Sequence, residues 1–83
     1  MSETTKHADE ISRDEAADLL QELARELRDG GAAEIRVGNK MLTLSPDSVL
    51  EYEIKVDERS PMLGTDHEEV TVSLEWSVQD EES

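Results

Sequence analysis

The sequence predicts a small α+β domain, with one helix packed on a four-stranded antiparallel meander and room for an extra N-terminal edge strand. Three observations predict it. A capping-box tetrapeptide opens a helical apolar stripe, a Gly-Asn dipeptide separates two short apolar segments, and two later segments alternate strictly between apolar and polar residues.

Residues 1–11 are polar, with Thr4, Ala8 and Ile11 as the only hints of order, so they read as a disordered arm or as a short edge strand ending at Ile11. Ser12-Arg13-Asp14-Glu15 then starts a helix, because the Ser12 hydroxyl can accept from the Glu15 amide while Glu15 reaches back to Ser12. Ala16, Leu19, Leu20, Leu23, Ala24 and Leu27 recur at helical spacing, and Asp14, Asp18, Glu22, Glu26 and Asp29 fall opposite them. Gly30-Gly31 supplies a left-handed stop, which places the helix at 13–29.

Glu34–Val37 and Lys40–Leu44 flank Gly38-Asn39, a two-residue loop with glycine first, as a type II′ hairpin requires. Ser45-Pro46-Asp47-Ser48 makes the next turn. Leu50, Tyr52, Ile54 and Val56 alternate with charged residues, and Val70, Val72, Leu74, Trp76 and Val78 alternate with polar ones. Strand side chains point to opposite faces with period two, so each set shares one face and the two strands are expected to pair. On the outer face, Thr71, Ser73 and Ser77 are expected to keep acids from facing acids across the ladder. Trp76, the single tryptophan, is expected to be the largest burial of the core. Residues 79–83 read as a frayed acidic tail.

The composition bounds the function. There are 22 Asp and Glu against 8 Lys and Arg, a formal net charge of -14, placed mostly where the patterns predict solvent. Such a surface repels itself in dilute buffer and is tolerated at molar salt, where the screening length is about 3 Å. That points to a halophile's cytoplasm. No basic stripe exists to meet phosphates, so nucleic acid is not an expected partner. With no cysteine there is no disulfide or thiolate chemistry, and no apolar run approaches the ~18 residues of a membrane span or the core of a signal peptide.

No catalytic, cofactor-binding or metal-ligating residue is assigned, and an enzyme is not expected. The one place where an imidazole meets several carboxylates is Asp66-His67-Glu68-Glu69, which carries the alternative reading of a small-ligand or metal-assisted activity. A metal there would need ligands from other segments. The segment 58–68 is long for a hairpin connection and contains Met62-Leu63, which either tuck against the sheet end or meet a partner. Trp76, Met62, Leu63 and Tyr52 are therefore the candidate partner contacts. One helix of ~10–12 Å cannot cover four strands spanning roughly 19 Å, so a homodimer through the apolar sheet face is expected.

Ser12-Arg13-Asp14-Glu15-Ala16-Ala17 leading to Leu23-Ala24, the Gly-bounded hairpin, the turn with Pro46 and the closing strand with Trp76 together resemble the amphi-Trp domain family. The chain looks like a haloarchaeal member, with the resemblance covering roughly residues 12–78. It implies the fold and carries no activity, cofactor or site residue with it. The long 58–68 segment and the polar arm depart from the family's pattern.

Overall fold

The computed structural model describes residues 2–78; the acidic tail expected at 79–83 lies outside them. The architecture is α+β: helix α1 (Arg13–Arg28) is followed by strands β1 (Ala33–Val37), β2 (Lys40–Leu44), β3 (Glu51–Arg59) and β4 (His67–Glu75). The chain divides into two compact units, Met1–Pro46 and Asp47–Ser83. β1 pairs with β2 and β3 with β4, both antiparallel, and they form two separate two-stranded sheets rather than one continuous meander. Between β2 and β3 the chain runs through Pro46, which has no N–H to give to a ladder, and Ser48 N–H turns back onto Asp47 Oδ1 at 2.7 Å.

In the first unit α1 begins as its sequence dictates. Ser12 has extended dihedrals and its Oγ accepts from Glu15 N–H at 3.0 Å, while Asp14 and Glu15 occupy the first turn and Arg25 and Arg28 the last, matching the macrodipole. Asp29 N–H donates to Arg25 O at 3.1 Å, and Gly30 and Gly31 follow at φ 76° and 71°, conformations other residues adopt only at a cost. The helix packs on β1.

Its buried side differs from the expected stripe. Ala16, Leu23, Glu26 and Leu27 are the partly buried residues, and Leu19, Leu20 and Ala24 are exposed. Glu26 is partly buried, and its Oε1 accepts from Glu34 N–H at 2.9 Å, tying the last turn of the helix to the start of β1. The carboxylate gives that backbone donor a charge-assisted partner.

The β1–β2 register pairs Ala33 with Leu44, Ile35 with Leu42 and Val37 with Lys40, closed by Gly38-Asn39. Gly38 has φ 64° and no non-glycine among the described residues has positive φ, so only the first loop residue is left-handed, which fits type II′ and excludes type I′. The glycine is required twice over. A Cβ built on Gly38 would lie 2.8 Å from His7 Nδ1, so the N-terminal arm lays its imidazole across the turn. Residues 2–11 form no strand; the edge strand expected to end at Ile11 is absent from them.

In the second unit the β3–β4 ladder is longer than its alternation announced. Asp57, Glu58 and Arg59 pair with Glu69, Glu68 and His67, so the connection shrinks from 58–68 to 60–66. β4 also starts and stops earlier than expected. Trp76 and Val78 lie beyond its last residue, Glu75. Among the described residues the only fully buried hydrophobic is Ala33, in the first unit. Trp76 is partly buried, so it is not the centre of a core.

Candidate functional site

The β3–β4 ribbon concentrates what is unusual about this molecule. Tyr52 opposes Leu74, Ile54 opposes Val72 and Val56 opposes Val70, so these three cross-strand pairs form one apolar face. That face is wet. Tyr52 is 64% exposed, Ile54 53%, Val56 60%, Val70 63% and Val72 50%, while only Leu74 is partly covered. Glu58 and Glu68 share the parity of the apolar positions and oppose each other, so the face ends in a pair of carboxylates.

The opposite face is charged, and here the expected separation of acids fails. Glu51 faces Glu75 and Asp57 faces Glu69, because the register sets these acids, rather than Thr71, Ser73 or Ser77, opposite one another. The Asp57–Glu69 pair is answered by cations on either side of it. Lys55 Nζ lies 3.8 Å from Asp57 Oδ2, and Arg59 Nη1 lies 3.4 Å from Glu69 Oε1. Both bridges are solvent-exposed and worth at most about 1 kcal/mol each.

This geometry takes apart the acidic tetrapeptide. His67 and Glu69 fall on one face of β4 and Glu68 on the other, and Glu69 is engaged by Arg59. Among the described residues no three His, Asp or Glu side chains converge as metal ligands. A shallow hollow of about 390 Å³ at one end of the ribbon is lined by Glu51, Tyr52, Glu53, Ser73 and Glu75, and in the first unit a groove of about 460 Å³ runs along Leu19, Leu23, Ile35 and Met41.

The candidate contacts are not brought together. Met62 and Leu63 are 100% and 90% exposed, so they do not tuck against the sheet end, and Tyr52 lies at the far end of the ribbon from them. Trp76 follows the strand end that pairs with the start of β3, near Tyr52 in the register. Glu58 and Glu68 keep the parity of Val56 and Val70, the one signal in the sequence that they belong to the strands, and their charge on the apolar side masks it.

The profile of the Amphi-Trp domain matches residues 1–83. The chain belongs to the Amphi-Trp domain family. The match also takes in residues 1–11 and 79–83, outside the 12–78 of the resemblance. No curated protein and no solved structure matches the chain significantly. Among the described residues of the Amphi-Trp domain no helix is long and apolar enough to cross a membrane.

Proposed function

We propose that this Amphi-Trp domain is a small, non-catalytic protein-interaction module that self-associates through its β3–β4 ribbon in the cytoplasm of a halophile. One observation carries the reading: a two-stranded ribbon exposes an apolar face on which five large side chains are each half or more accessible. A ribbon of two strands is at best marginally stable in water and gains independent stability from further strands or a covering layer. The exposed apolar atoms amount to on the order of 500 Å², at the upper end of what a soluble monomer carries. A second copy can supply further strands, and closed two-fold dimers are the commonest homo-oligomers.

The net charge of -14 sets the condition. Two such chains repel strongly in dilute buffer, and the repulsion fades once the screening length falls to a few Å. Sedimentation equilibrium in ~2 M potassium chloride is expected to show a monomer–dimer equilibrium that shifts to monomer as salt is lowered. A monomer over the whole accessible concentration range at high salt overturns the reading. Titrating manganese or zinc while following thermal stability addresses the rival chemistry at Asp66–Glu69: a stabilisation abolished by His67→Ala would replace this proposal with a metal site.

A further inference from the structure

We infer that two copies join along the outer edge of β4, antiparallel about a two-fold axis at Thr71, to form a four-stranded sheet in the order β3-β4-β4-β3. The inference rests on the self-association proposed above and specifies the surface responsible. Each strand of a two-stranded sheet keeps one edge unpaired, and β3 and β4 are nine residues long. A long row of unpaired N–H and C=O groups is a template for another strand unless charges guard it.

The two edges are guarded differently. β3 carries Glu51, Glu53, Lys55, Asp57, Glu58 and Arg59, so no two adjacent residues of it are uncharged. β4 holds the uninterrupted uncharged run Val70-Thr71-Val72-Ser73-Leu74, rich in strand-favouring residues and free of proline.

Register selects the occupant. Laying β4 antiparallel on a second β4 over its whole length opposes His67 to Glu75, Glu68 to Leu74, Glu69 to Ser73, Val70 to Val72, and Thr71 to its own copy. No carboxylate meets a carboxylate, and the apolar faces of the two ribbons become continuous, with Val70 and Val72 shielding each other at the centre. Centring the axis on Val72 instead sets Glu69 against Glu75. Treating β3 in the same way sets Glu53 against Asp57 twice and Lys55 against itself. Stacking the ribbons face to face is also disfavoured, because the Glu58–Glu68 pair lies on the contacting face of each copy.

The chain has no cysteine, so single-cysteine variants read the interface directly. In the proposed register residue 71 faces residue 71 of the second copy at the 4.5–5.5 Å expected of opposed strand residues, about the span of a disulfide. Residue 73 is four residues out of step with its counterpart, roughly 14 Å away. Both positions are exposed and on the polar face, so face-to-face stacking turns both away from the partner. In ~2 M potassium chloride under mild oxidation, Thr71→Cys is expected to form a covalent dimer at least ~10-fold faster than Ser73→Cys, since the paired thiols sit at a high effective concentration. An equimolar mixture of Glu69→Cys and Ser73→Cys is expected to cross-link as Thr71→Cys does. If sedimentation shows a dimer but Thr71→Cys is no faster than Ser73→Cys, edge pairing is overturned while self-association stands. If the chain is a monomer, both fall together.

Discussion

The β1–β2 and β3–β4 hairpins carry the same kind of alternation and finish in different environments. In the first, Ile35, Val37, Leu42 and Leu44 are partly buried, α1 packs on β1 and Ala33 is fully enclosed. In the second, Tyr52, Ile54, Val56, Val70 and Val72 remain half or more exposed. Alternation therefore fixes which side chains share a face, and a covering element decides whether that face is worth burying. The first hairpin obtains stability from apolar area removed from water, at about 25 cal/mol per Å². The second depends on its ladder and on salt, because three of its cross-strand pairs, Glu51–Glu75, Asp57–Glu69 and Glu58–Glu68, oppose like charges.

Salt is the strongest way to break this comparison. Between ~10 mM and ~2 M potassium chloride the screening length changes more than tenfold, and the melting temperature is expected to rise by on the order of 10 °C. Amide exchange sharpens the point: at low salt the β3–β4 amides are expected to lose protection before those of β1–β2. Equal melting temperatures, or simultaneous loss of protection, would show that the acid pairs of the ribbon are not its weakness.

Ala33 tests the other side. With its residue fully enclosed beside Leu44, Ala33→Leu is expected to cost about 2–3 kcal/mol in denaturant melts through overpacking. Val56→Ala, on the exposed face, is expected to cost under about 1 kcal/mol. Matching losses would mean that the two hairpins are buried alike. Trp76→Ala falls between them at about 1–2 kcal/mol, below the 3–5 kcal/mol typical of a fully enclosed large aromatic, since the ring is only partly covered. A loss of 4 kcal/mol or so would restore Trp76 to the centre of a core.

A further effect concerns the arm. Gly38→Ala is expected to cost about 1 kcal/mol from the left-handed backbone alone, plus the contact with His7. Adding His7→Ala is expected to recover the contact and leave the backbone cost, a coupling that a double-mutant cycle measures. Strict additivity would show that the arm does not lie on the turn.

The local elements were legible because their causes are local. Ser12 and Glu15 lie within one turn, Gly38 is the residue its turn needs, and the parity of Tyr52, Ile54 and Val56 follows from the pleat. The length of the β3–β4 ladder was not legible, because Glu58, Arg59, His67 and Glu68 look like loop residues until the hairpin carries their backbones into register. The candidate site was legible only in part: Tyr52 lies on the exposed face as the alternation places it, whereas Met62 and Leu63 project into solvent.

By itself, then, the sequence determined the helix with its cap and stop, the type of the first turn, the sharing of faces and the net charge, all of which depend on neighbours a few residues apart. Tertiary structure decided the rest: that the four strands form two sheets, that Glu26 turns inward to the Glu34 amide, that His7 covers Gly38, and that Ala33 rather than Trp76 is enclosed. Each of these joins residues distant in the chain, and such a contact is selected by the free energy of the whole fold rather than by the propensity of any one segment.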